Sequence, residues 1–226
     1  MSLPRSDTRA LIAGGTGRIG AVIAERLGAD GWHVIAAGRR DGDLRTRDGA
    51  QALVAGAVAA LGGHDRVVPC AGAGFEPRAV EDVTEELWDE AMDVTAKGTF
   101  FLAQAAAPAL RESHGVLVVV EDAAAFQAWT SFPAHSAAKA AQAMLTRVLA
   151  RTLAPEVRVC GLAPGPVAVA AGQEERRAAE TLLGRIGDPA DVADAVAYLA
   201  QAYYVTGTTL VVDGGRMLKS GRGALP

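Results

Sequence analysis

Short, uninterrupted apolar runs alternate with longer amphipathic stretches along the whole of this chain, and that alternation leaves little choice of architecture. Strands buried on both faces read as continuous apolar segments, so the pattern specifies parallel strands joined by covering helices. Strands are expected at 10–13, 33–37, 66–69, 115–120, 158–162 and 209–212. Helices fill the gaps at about 19–28, 50–61, 85–112 with a break, 135–153, 173–183 and 189–200. Asp188-Pro189 followed by Asp191 is a strong helix start, because an Asp cap accepts orphan amide hydrogens and Pro fits the first turn. No repeat or linker interrupts the 226 residues, so positions 1–226 are read as one domain: α/β, with a doubly wound parallel sheet and helices on both faces.

Composition excludes several functions. Twenty-two Lys and Arg stand against 26 Asp and Glu, a net charge of −4, and the dense basic spots at 39–40 and 45–47 are too short for a phosphate-neutralising stripe. No nucleic acid partner is expected. No apolar run is long enough to cross a bilayer, and the first nine residues lack the apolar stretch of a signal peptide, so no membrane association and a cytoplasmic location are expected. Cys70 and Cys160 belong to no ligand cluster; both are read as small apolar side chains, and no metal is expected.

After the first strand comes Gly14-Gly15-Thr16-Gly17-Arg18-Ile19-Gly20, which contains the spacing GxGxxG. Its position between an apolar strand and an amphipathic helix gives it meaning, since amides at a helix start can hold a dinucleotide pyrophosphate. The domain is therefore Rossmann-like. Where NAD-binding chains place an acidic residue at the end of the second strand, this one has Gly38-Arg39-Arg40. Arg39 offers a fork of donors to a 2′-phosphate, which favours NADP; the alternative is a pair of solvated loop charges.

Over nearly its whole length the chain resembles a compact short-chain dehydrogenase/reductase. Four blocks fall in family order: 14–20; 65–72, in the place of D-x-L-V-N-N-A-G; the Pro164-Gly165 turn; and Tyr204-Val205-Thr206-Gly207 through Val211-Val212-Asp213-Gly214-Gly215. The resemblance implies that Gly14, Gly15, Gly17, Arg18, Ile19 and Gly20 hold pyrophosphate, and that Asp43 and Leu44 contact adenine. It places Ala71 and Gly72 at the middle of the cofactor, Lys139 at the nicotinamide ribose, and Pro164, Gly165 and Val167 at the nicotinamide amide. It also implies a homodimer or homotetramer, built through the long helices at 95–112 and 134–153.

The catalytic positions depart from the family. Its Y-x-x-x-K reads His135-Ser136-Ala137-Ala138-Lys139 here, its serine thirteen positions earlier is Asp122, and its helix asparagine is Thr95. Arg18 and Asp122 are features similar to those of pteridine reductases. Asp122 can orient the imidazole of His135 so that the other ring nitrogen acts as proton donor; alternatively, His135 only fills the vacated space. Between Arg39 and Asp43 lie three residues, whereas a parallel crossover needs a dozen or more, so one strand and helix of the family's seven-stranded sheet are missing. Six strands, a partly uncovered adenine pocket and weakened cofactor binding are expected.

These features point to an NADP(H)-dependent reductase of a carbonyl or imine in a small cyclic substrate. The alternatives are a non-redox cyclase, dehydratase or isomerase using Asp122 and His135, and a catalytically inactive binding protein on the same fold.

Overall fold

The computed structural model describes residues 8–73, 75–167 and 169–219. Strands β1 (Arg9–Ala13), β2 (His33–Ala37), β3 (Arg66–Pro69), β4 (Val116–Val120), β5 (Arg158–Pro164) and β6 (Thr209–Val212) form one sheet in the order β2-β1-β3-β4-β5-β6. Every pairing is parallel. The six strands fall where the apolar runs place them. β5 runs two residues further than expected, because Ala163 and Pro164 pair with Val211 and Val212.

Alternate strand residues feed two separate cores. Leu11, Val67, Leu117, Val119 and Val159 face α2 (Arg47–Leu61), α4 (Gly98–Ser113) and α5 (Pro133–Leu153). Ile12, Val68, Val118, Cys160 and Leu162 face α1 (Arg18–Ala29) and α7 (Pro189–Gln201) on the other side. This two-sided burial is why the strands read as unbroken apolar runs rather than alternating ones.

Only residues 38–46 separate β2 from α2, so no strand lies outside β2 and it forms the edge of the sheet. The chain then crosses back to β3. The strand order therefore reverses between β1 and β3, where open α/β sheets form a crevice at the carboxyl ends of their strands.

Two helices differ from expectation. The long helix is α3 (Glu85–Met92) joined to α4 through a π turn at Asp93–Lys97, which is the break at 85–112. The helix expected at 173–183 is only α6 (Glu174–Ala178). Beyond it the amides of Leu182 and Leu183 donate to Gly214 O, and the Thr181 hydroxyl donates to Ala178 O and Arg185 O, which draws the backbone off the helical path. α7 begins as expected, with a capping box between Asp188 and Asp191.

Candidate functional site

The glycine turn is built by close approach. Gly14 has φ +86°, a left-handed conformation that favours glycine, and a Cβ there would lie 2.6 Å from the Ala71 amide nitrogen. A Cβ on Gly15 would lie 2.6 Å from Ala36 Cα, and one on Gly20 would lie 2.2 Å from Gly14 O. These contacts pack the turn against β2, against the Ala71 segment after β3, and against itself. Gly17 caps α1 without a side chain, and the first intrahelical bond runs from the Ala21 amide to Gly17 O. The amides of Arg18, Ile19 and Gly20 precede it, as the orphan donors of a helix start.

Arg39 extends from the end of β2 with its side chain 67% exposed and one nitrogen 3.7 Å from Glu90. Asp43 and Leu44 lie nearby but are committed elsewhere. Arg45 donates to both Asp43 oxygens at 2.5–3.0 Å, and these bonds hold the carboxyl at about 2, well below the usual range. Leu44 is buried in the core, against the start of α4 at Gly98.

Asp122 and His135 come together. Asp122 follows β4 and its Oδ1 accepts the Ala124 amide at 2.8 Å, which fixes the carboxylate at a short 3-10 turn. His135 sits in the first turn of α5, with Nε2 3.5 Å from Asp122 Oδ2. The pair is at ion-pair distance without hydrogen-bond alignment, and Nε2 is buried with no hydrogen-bond partner. Nδ1 makes no hydrogen bond among the described residues.

Lys139 lies one turn further along α5, but its ammonium points inward. Nζ donates to Val120 O and to Gln142 Oε1, both at 2.9 Å, and Gln142 donates in turn to Thr99 at 2.8 Å. Burial pushes the lysine below its ordinary pKa, with Asp122 acting in the opposite direction. Thr95 is buried within the π turn.

Two features of this region escaped the sequence reading. Glu121, beside Asp122, is 2% exposed, and its two oxygens accept the hydroxyls of Thr146 (2.6 Å) and Thr209 (2.9 Å). Burial raises its pKa against those bonds. A polar stripe at Lys139, Gln142 and Thr146, spaced for one face of α5, was the available signal. The second feature is an aromatic wall over His135. Phe75 stacks on Phe132 at 4.2 Å and meets the imidazole edge-on at 5.0 Å, while Trp129 packs edgewise on both phenyl rings. Arg216 lies 4.5 Å from the Trp129 ring centre and donates to Glu180 and Gln127, tying three separate segments together. These residues are far apart in sequence, and no motif announces them.

On the far side of the Pro164-Gly165 turn, a cavity of about 450 Å³ is lined by Gly165, Val167, Leu182, Arg185, Asp191 and Val212 among others. Asp122 and His135 do not line it. A Cβ on Gly165 would lie 2.6 Å from Asp213 Cα, so this turn too depends on close backbone approach.

Comparison with known proteins agrees with the fold. A family model described as enoyl-(acyl carrier protein) reductase matches residues 37–216. Human dehydrogenase/reductase SDR family member 4 is 33% identical, over 94% of this chain and 88% of that protein. The crystal structure of a 3-ketoacyl-(acyl-carrier-protein) reductase from Brucella melitensis complexed with NADH superposes with a TM-score of 0.87 at 26% identity, covering 92% of this chain and 98% of that one. A blue fluorescent protein from a metagenomic library, in complex with NADPH, gives 0.84 at 26%, covering 92% and 97%. Matched in fold and across nearly its whole length, the chain belongs to the short-chain dehydrogenase/reductase family of oxidoreductases.

Proposed function

We propose that this chain is an NADP(H)-dependent reductase acting on a carbonyl or imine of a small cyclic substrate, with His135 as proton donor and Asp122 as its orienting partner. The observation that carries the reading is the meeting of Asp122 Oδ2 and His135 Nε2 at 3.5 Å, beyond the carboxyl end of β4 on the rim that also bears the glycine turn. With Nε2 buried beside the carboxylate, Nδ1 is the nitrogen left to deliver a proton to the substrate oxygen or nitrogen.

The turn at 14–20 suits a dinucleotide, because Gly14, Gly15 and Gly20 leave no room for side chains and its helix-start amides are unpaired. When bound, the nicotinamide supplies the hydride that reduces the substrate carbon. Gly14, Gly15, Gly17, Arg18, Ile19 and Gly20 would hold the pyrophosphate, and Arg39 the 2′-phosphate. Ala71 and Gly72 would line the middle of the cofactor, and Pro164, Gly165 and Val167 the nicotinamide amide. Lys139 keeps one N–H beyond those given to Val120 and Gln142, available to a ribose hydroxyl. Asp43 and Leu44 would flank adenine only through backbone, since the carboxylate and the leucine side chain are engaged elsewhere. Half-exposed Phe100, Met144 and Val148 on α4 and α5 suit a contact between copies of the chain.

One observation favours a second reading. The inward ammonium of Lys139 fits a non-redox cyclase, dehydratase or isomerase, or an inactive binding protein, in which no ribose needs holding. NADPH fluorescence and thermal-shift titrations separate the two. The reductase should bind NADPH, and Arg39→Ala should weaken binding about tenfold, the loss of one charge-assisted contact worth about 1.5 kcal/mol. His135→Ala and Asp122→Asn should lower hydride transfer about 100-fold over a panel of cyclic ketones and imines. Absence of NADPH binding at millimolar concentration would remove the reductase and leave the second reading.

A further inference from the structure

At the opposite end of the sheet from the glycine turn, two arginines stand in one row. Arg66 opens β3 and Arg158 opens β5, and both are registered to Val116 on the β4 strand between them. Their side chains therefore leave the sheet on the same face, the one covered by α1 and α7. Arg158 is well used: Nη1 donates to Leu199 O and Val205 O at 3.1 and 3.0 Å, and Nη2 to Ala200 O at 3.0 Å, closing the carboxyl end of α7.

Arg66 is not. It is 8% exposed; Nη1 donates to Asp65 O at 2.8 Å, but Nε is buried with no acceptor. The nearby Asp65 carboxylate is taken by Arg9, through its backbone amide at 2.8 Å and its guanidinium at 3.1 and 3.2 Å. Among the described residues, no acidic side chain forms an ion pair with Arg66 or Arg158. Instead each guanidinium lies by an aromatic residue: Arg66 is 5.8 Å from the Trp32 centre and also meets the Tyr203 hydroxyl, and Arg158 is 5.7 Å from the Tyr203 centre. A ring face attracts positive charge but does not accept a fork of in-plane N–H groups. Two neighbouring cations, one of them nearly buried with an unused donor, form an arrangement that is costly unless a negative partner completes it.

We propose that Arg66, Arg158 and Tyr203 form a binding site for a free oxyanion of the phosphate class. Arg66 supplies its unpartnered Nε–H and Arg158 a second positive charge. Tyr203, whose side chain is largely exposed, supplies a phenol and the roof through which the anion enters. The site lies at the amino ends of the strands, remote from Asp122 and His135, so its occupant acts on the fold rather than in the reaction. This inference does not depend on the proposed reductase activity.

Thermal melting in inorganic phosphate, against sodium chloride of matched ionic strength, tests it. The wild type should show a saturable rise in Tm with phosphate beyond the salt control. Arg66→Met should lose that rise and, in phosphate-free buffer, melt at or above the wild type, because it removes an uncompensated charge. Arg39→Ala, which alters the arginine proposed for the cofactor 2′-phosphate, should keep the rise. Line broadening of the phosphate ³¹P resonance gives a readout independent of unfolding, and Tyr203→Phe should reduce it severalfold. No saturable rise, an undiminished rise in Arg66→Met, or equal broadening by wild type and Tyr203→Phe would overturn the proposal.

Discussion

At the level of single residues, the structure sets charges and imidazoles in places where burial decides their chemistry. His64 is fully buried; Nε2 donates to Ala106 O at 3.2 Å while Nδ1 has no partner. Burial holds it below the ordinary histidine pKa of 6.5, outweighing the carbonyl bond that raises it. The folded state thus keeps this ring neutral while the unfolded chain takes up a proton below about pH 6.5. Stability is then lost as pH falls from 6.5 toward the lowered folded-state value, with a slope of at most about 1.4 kcal/mol per pH unit from this one group. His64→Leu should therefore show a smaller loss between pH 7.5 and 5.5 than the wild type. Urea midpoints at the two pH values measure this, and equal losses would exclude His64 as the source.

Secondary elements make opposite demands on their glycines. Gly161, in the middle of β5, leaves the space into which Glu121 reaches: an added Cβ would lie 2.2 Å from Glu121 Oε1 and 2.7 Å from Thr209 Oγ1. Gly161→Ala should destabilise the fold by about 1–3 kcal/mol, as overpacking of a filled site does. Gly56, in the exposed middle of α2, has nothing within 4 Å of an added Cβ. Gly56→Ala should stabilise by about 0.5–1 kcal/mol, since alanine loses less backbone freedom in a helix. Chemical denaturation of the two variants checks both signs. The inner strands were legible in the sequence because burial on both faces keeps their middles apolar, and the start of α7 because Asp188, Pro189 and Asp191 form a local cap. The orientation of Lys139 was not legible. It depends on Val120 O and on Gln142, contacts that exist only once α5 has packed against β4. That Asp122 and His135 share one site was implied by the family resemblance, whereas the aromatic wall of Phe75, Trp129 and Phe132 joins two loops by tertiary packing alone.

The molecule as a whole is a six-stranded sheet with one end left plain. The three-residue gap after Arg39 made the missing crossover readable, since so short a segment cannot return to a parallel strand. Its consequence is β2 at the border, with His33 and Ala36 exposed and only β1 beside it. Native-state hydrogen exchange should find the amides of β2 opening well below the global unfolding free energy, while those of β3, β4 and β5, flanked on both sides, exchange near it. Uniform protection across all six strands would contradict that ranking. At the other extreme of order stands Arg216, whose guanidinium grips Glu180, Gln127 and the face of Trp129 at once. One cation is thereby the keystone of the aromatic wall beside His135. Arg216→Ala would loosen those rings while the two hydrophobic layers stayed whole, so such a variant would still unfold as one cooperative unit although its aromatic cluster had lost its anchor.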